Sequence, residues 1–523
     1  MAVLPPTYLG AVIVLFVLFR LRHIVSLTTL LMHRVSYFLP PSTAVLESLN
    51  TPPPPKKAKA PKPEKTATER LEAMKLLMTP IETGSLTHCL YFDLLDTMVL
   101  LGASAMVVFW LQQGADAASP DASYYVLVVA LLLSVLFPVH VKFGHGVFGS
   151  YEARLGLVVG GLALIVACFC LYTPAGVFDF DVDGASSSLT FRVERVLASI
   201  TGNTTVPAPP TRSVSLYLGG SLGLVAGVIT STQFLPALRF ARMYLDFISS
   251  RAINTSWKII LHVNQLLPLL VAATFVRPFY APLLTGAVVC DAVDTTLFAL
   301  APRDCGAAFM TESTFRDIRL GLIVLTALLR LACFRSHLQY FLLEPKGIIT
   351  GMLLQRGRID TSAVVDKLVI PFSYIPVVAL QYLAPCLTYV AAAMLLQRKT
   401  PRCFHWMAWL EHVGVDRSLV VCEATTAPAP AAPAFFLAAG TDLDTNVLQT
   451  IVTGLQGYPI ALPYVFETIL GFAIFWTAFS WFGLSVAGLV YWRRVGTHHV
   501  SVEQEEVVTK HIKRKLQRKH KLL

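Results

Sequence analysis

The chain has 523 residues, 55% of them hydrophobic and 14% charged, with a formal net charge of +10 and a mean hydropathy of +0.62. Soluble domains carry about a quarter charged residues, so this composition excludes an ordinary soluble enzyme. The apolar residues collect in long runs, and the class they define is all-α: a polytopic helical membrane protein with eight or nine transmembrane helices.

The first apolar segment, Tyr8–Met32, has a clean run only as far as Phe19, before Arg20 and Arg22. A signal peptide places positive charge ahead of its apolar region. Here the arginines follow it, which predicts a retained signal-anchor helix over residues 1–33 with its N-terminus outside, a cleaved signal peptide being the alternative. Residues 34–92 read as a cytosolic linker. Within it, 40–65 carry Pro40-Pro41, Pro52-Pro53-Pro54-Pro55-Lys56-Lys57 and then alternating Pro and Lys, a composition that favours disordered polyproline over a packed core.

Residues 93–492 read as a multipass transmembrane domain. A spanning helix needs about 20 mostly apolar residues, and eight stretches qualify: Leu94–Leu111, Tyr124–Val139, Leu155–Tyr172, Leu216–Leu235, Ile259–Val276, Ile318–Phe334, Leu368–Leu396 and Ala461–Trp492. Between the fourth and fifth, Pro236 to Trp257 places Leu238, Phe240, Ala241, Tyr244, Leu245 and Ile248 at helical spacing. That pattern predicts an amphipathic helix on the inner membrane surface, or alternatively one packed against neighbouring spans.

Basic residues orient the spans. Segments 33–92, 140–154, 236–258, 335–367 and 493–523 hold 28 Lys plus Arg, whereas the intervening 113–123, 174–213, 277–317 and 397–460 hold 10. The positive-inside rule therefore places the first set, including both the linker and the C-terminal tail, in the cytosol. The sequon at Asn203 falls in an outside loop and is the expected glycosylation site. Two cysteine pairs, Cys290 with Cys305 and Cys403 with Cys422, also fall outside, where an oxidising lumen permits disulfides. The tail, 493–523, is basic enough to attract anionic lipid, at about 1 kcal/mol per charge near the surface. Its ending, Lys519-His520-Lys521-Leu522-Leu523, fits a dilysine retrieval signal and favours the endoplasmic reticulum over the plasma membrane.

Ionisable side chains inside spans cost at least about 2.5–3.5 kcal/mol at a helix centre, so they seek partners or water. His262, Asn264, Arg319, Arg330, His337, Gln381 and Glu467 are the candidate polar intramembrane cluster. Arg330, Cys333 and His337 share one helical face. Pro268 and Pro385 follow Asn264 and Gln381 by one turn and leave backbone carbonyls without donors. Helix-to-helix hydrogen bonding is the structural use of such residues, and a polar pathway the functional one. Walker, zincin, nucleophile-elbow and dinucleotide motifs are absent from the sequence, so no catalytic, cofactor or metal site is assigned and a non-enzymatic role is expected. The surplus positive charge is a topology signal and does not call for a nucleic-acid partner.

Several of these residues lie in motifs that resemble the transmembrane protein 161 family. They are Leu-Arg-Phe-Ala-Arg-Met-Tyr-Leu-Asp at 238–246, Leu-His-Val-Asn at 261–264, Val-Arg-Pro at 276–278 and Met-Thr-Glu-Ser-Thr-Phe at 310–315. Leu-Leu-Arg-Leu-Ala-Cys-Phe-Arg-Ser-His-Leu-Gln at 328–339, Gly-Arg-Ile at 357–359 and Val-Ala-Leu-Gln-Tyr-Leu-Ala-Pro at 378–385 complete the set. The order and spacing fit from about Leu235 to Gln397. The resemblance implies a multipass protein without agreed catalytic residues, linked to membrane excitability and to calcium or potassium handling, and often described with a cleavable signal and eight spans. Two functions follow as expectations: a regulator of ion homeostasis acting on a channel or pump partner in the bilayer, or a channel or transporter in its own right.

Overall fold

The computed structural model describes residues 6–21, 26–50, 74, 76–112, 122–143, 151–173, 177–190, 211–250, 253–281, 312–354, 360–399 and 463–495. Asn203, Cys290, Cys305, Cys403, Cys422 and the basic tail from residue 496 onward lie outside the described residues.

The first segment does not form one 25-residue helix. It gives α1 (Pro6–Leu21), 16 residues long, and a separate short α2 (Leu27–Met32). Ser26 caps α2, and both Ser26 Oγ and Thr28 Oγ1 donate to the buried Asp96 Oδ1, at 2.8 and 2.7 Å.

Residues 34–92 are more than a linker. Strands β1 (Ser36–Phe38) and β2 (Met78–Pro80) pair antiparallel, with Tyr37 opposite Thr79. Helix α3 (Thr43–Asn50) occupies part of the stretch expected to be disordered, and α4 (Thr83–Leu86) follows β2. The physical reason is tertiary: Phe38, Leu46 and Met74 bury themselves in a small second core with Ile349, Leu353, Val364 and Leu368, residues far away in sequence.

The main bundle begins with α5 (Phe92–Gln112), α6 (Ala122–Phe143) and α7 (Tyr151–Leu171). Helix α8 (Thr211–Ser249) has 39 residues and runs straight through Pro236. The expected surface helix at 236–257 is therefore not a separate element. Phe240, Ala241 and Met243 are fully buried, as the packed alternative requires, and Trp257 belongs to the next helix, α9 (Thr255–Ala273). A short α10 (Arg277–Tyr280) precedes α11 (Glu312–Leu354), the longest helix among the described residues at 43 residues.

The expected single span Leu368–Leu396 is two helices, α12 (Thr361–Ser373) and α13 (Ile375–Lys399), broken at Tyr374. Pro376 explains the break. It has no N–H to give the Phe372 carbonyl, which instead accepts from the Tyr374 amide, and at the second position of α13 the missing donor costs nothing. Helix α14 (Pro463–Val495) closes the described chain.

Helix α13 is the hub. It packs on α5, α6, α11 and α14, and it is buried on nearly every side from Val377 to Tyr389. An all-round apolar helix is stable only at such a position. On its flank α7 and α8 approach at Gly160 and Gly227; a Cβ on either would lie 2.8 Å from the other's carbonyl oxygen, so both positions need glycine.

Among the described residues, seven segments are long and apolar enough to cross a membrane: α5, α6, α7, α8, α9, the α12–α13 pair and α14. The expected span Ile318–Phe334 forms the middle of α11, which is not one of those seven but packs between α9 and α13. The outward-facing apolar residues of α7, among them Val158, Leu162, Ile165 and Phe169, are 60–77% exposed, as lipid-facing side chains are.

Candidate functional site

Of the seven candidate residues, Arg319, Arg330 and His337 lie on α11, along which polar contacts gather at three levels. About 16 Å of helix axis lies between Arg319 and Arg330, and about 30 Å between Arg319 and Gln339, the thickness of a hydrocarbon core.

At the first level Arg319 Nη1 lies 2.6 Å from Asp179 Oδ2, and its Nη2 donates to the Thr274 carbonyl at 2.6 Å. The guanidinium also sits 4.6 Å from the Phe275 ring and 5.0 Å from that of Phe315. Tyr280 donates to Asp179 Oδ1 at 2.8 Å, and burial together with that carboxylate holds its phenol above the usual range. A backbone bridge joins Phe178 to Val276, with the Asp179 amide donating to the Phe275 carbonyl. Thr468, near the start of α14, donates to the Asp181 carbonyl at 3.1 Å. Segments 174–213, 277–317 and the start of α14, all assigned to one side by charge, thus meet at one end of the bundle. Asp179 is the residue that binds them, and nothing in its local sequence marks it.

At the opposite end, segments from the other charge set meet. Arg242 on α8 pairs with Glu344 on α11 and stacks 4.7 Å from the Trp492 ring. Tyr340 donates to Asp246. Gln339 grips β1 through a reciprocal pair, accepting from the Ser36 amide at 2.9 Å and donating to its carbonyl at 3.0 Å. Arg335 donates to the carbonyls of Leu30 and Leu31, both at 3.1 Å.

Between the ends lies the polar interior. Arg330 is 1% exposed, and its guanidinium carbon is 3.6 Å from the Trp481 ring centroid, with Tyr382 at 5.6 Å and Tyr389 at 6.0 Å. None of its three nitrogens has a hydrogen-bond partner in normal geometry among the described residues. A buried guanidinium without a carboxylate carries a desolvation cost of several kcal/mol. Contact with a desolvated indole returns about 2 kcal/mol. His337 stacks on Tyr382 at 4.5 Å, neither ring nitrogen having a partner among the described residues, and the buried Cys333 lies between Arg330 and His337 along the same face of α11. The shared face of Arg330, Cys333 and His337 is thus as the spacing indicated.

Asn264 and Gln381 are also interior, whereas the remaining candidates are not. His262 faces outward and bonds Tyr244 at 2.7 Å, and Glu467 is exposed on α14. Sequence reasoning missed the aromatic half of the site: Tyr382, Tyr389 and Trp481 read as ordinary apolar-span residues. It also missed Asp96.

A small cavity opens on the other side of α13, lined by Ser134, Thr232, Gln233, Gln381, Thr388 and Thr477 among others. Its volume open to the centre of a water-sized sphere is about 20 Å³, room for a single water or bare ion.

Seven membrane-length apolar segments among the described residues, one of them a buried hub, with polar groups turned inward and apolar ones outward, define a polytopic helical membrane protein. The family model described as predicted transmembrane protein 161AB matches residues 3–495, and the chain belongs to that family. The match extends well beyond the 235–397 region in which the motifs are legible by eye. The motif residues reach all three levels: Phe315 and Val276 at the Asp179 end, Arg330 and His337 in the interior, and Arg242, Asp246 and Gln339 at the opposite end. No solved structure matches the chain.

Proposed function

We propose that the chain is a non-enzymatic membrane protein that regulates ion homeostasis, in particular calcium or potassium handling and membrane excitability, by acting on a channel or pump partner. The observation that carries this reading is the sealed environment of Arg330. The side chain best placed to sense or pass an ion is pressed against Trp481 and enclosed by Tyr382 and Tyr389. An interior of that kind holds helices in a fixed arrangement and leaves the conducting path to another protein. The surplus of Lys and Arg in residues 33–92 and 493–523 supports a cytosolic linker and tail.

In cells lacking the chain, calcium or potassium currents are expected to change and to recover on re-expression. The Trp481→Ala variant, which opens the Arg330 enclosure, is expected not to restore them even when it reaches the membrane. Full rescue by that variant would remove the interior from the account.

A further inference from the structure

We propose that the cavity between α6, α8, α13 and α14 is a binding site for one dehydrated monovalent cation, sodium or potassium. This goes beyond the regulatory reading and does not depend on it.

The argument begins with prolines. A proline inside a helix removes the hydrogen bond to the carbonyl four residues before it. Pro138 in α6, Pro236 in α8 and Pro385 in α13 therefore deprive the carbonyls of Ser134, Thr232 and Gln381 of their helical donors. All three of those residues line the same cavity. Three helices thus each contribute to the lining a residue whose carbonyl a proline has released.

The hydroxyl side chains add lone pairs, and three of them already commit their hydrogens elsewhere. Ser134 Oγ donates to the Leu131 carbonyl at 2.7 Å, and Thr388 Oγ1 to the Ala384 carbonyl at 3.0 Å. Those two oxygens are only 2.8 Å apart, so two hydrogens serve three contacts. Thr232 donates to the Ile229 carbonyl. Gln381 Oε1 and Thr477 Oγ1, on residues 93% and 99% buried, have no partner among the described residues. A buried acceptor left unpaired costs about 1–3 kcal/mol. These oxygens suit a guest that presents positive charge or hydrogens to them.

Size and charge select among such guests. The space admits one small particle. Divalent cations require carboxylates, and the cavity lining has none. Neutral carbonyl and hydroxyl oxygens at broken or proline-bent helices are the donor set that holds alkali cations in membrane interiors. Arg330 opposes binding, but it lies against Tyr382 and Tyr389, on a different face of α13 from Gln381 and Thr388. Its repulsion weakens the site without filling it.

The test uses the full chain in lipid nanodiscs, with thermal unfolding followed in sodium, potassium and choline chloride at constant ionic strength. The midpoint should rise saturably, by about 2 °C or more, in sodium or potassium relative to choline. The two alkali arms identify the ion. Gln381→Leu/Thr477→Val should abolish the difference, and Arg330→Gln should shift saturation to lower cation concentration. If the double variant does not fold, Thr477→Val alone is read in the same way. Identical midpoints in all three salts, or an unchanged cation response in the variants, would overturn the proposal and leave the cavity holding water only.

Discussion

Arg330 and Trp481 set the energetics of the interior at the level of single residues. A lone buried charge is destabilising, whereas a methionine of similar length fills the same space without desolvation. Arg330→Met is therefore expected to unfold at the wild-type temperature or above it. Trp481→Ala both empties a large volume and uncovers the guanidinium, and should cost about 3 kcal/mol or more. Thermal unfolding of the purified variants checks the order; a strongly destabilised Arg330→Met would show that the guanidinium has a partner that holds the fold together. Spacing alone revealed Arg330, Cys333 and His337 as one face, because helical periodicity is a local property. Asp179, Asp96 and the aromatic enclosure escaped, because their partners come from distant segments and no local pattern encodes a partner.

Individual helices show which signals were readable and which were hidden. The long apolar runs at 94–111 and 155–172 formed helices close to where hydropathy put them. The division between α12 and α13 was hidden inside an uninterrupted apolar run, although Pro376 marked it. The folding of β1 and α3 was hidden for the opposite reason: few apolar residues, whose burial depends on α11 and α12. Two variants test the elements. Gly227→Leu places a side chain where a Cβ already meets the Gly160 carbonyl at 2.8 Å, and is expected to destabilise the α7–α8 pair by about 1–3 kcal/mol, seen as a lowered unfolding midpoint. Asp360 caps α12, accepting from the Ser362 amide at 3.0 Å and from the Ser362 hydroxyl at 2.7 Å, and these bonds lower its carboxyl below the usual value. A lowered carboxylate stabilises the folded state above its unfolded pKa, and that contribution disappears as pH falls through the folded value. Hydrogen exchange at the first turn of α12 should therefore quicken as pH falls below the ordinary carboxylate range, after correction for intrinsic rates. Asp360→Ala should show fast exchange at every pH.

Across the whole molecule, charge asymmetry and contacts agree. The segments that the basic residues assign to one side meet at one end around Asp179, and those assigned to the other meet around Arg242, Glu344 and Gln339. This agreement was not available from either observation alone. Class and family were legible from composition and motifs, while activity was not, since no motif in the sequence names a reaction. The central claim is that the chain governs ion movement through a partner and does not conduct by itself. Purified protein reconstituted alone into liposomes, with calcium and potassium flux recorded under an imposed gradient, tests it most directly. The account predicts flux no greater than in empty liposomes for the wild type; robust flux that disappears in Arg330→Ala or Glu467→Gln would contradict it and make the chain itself the conduit.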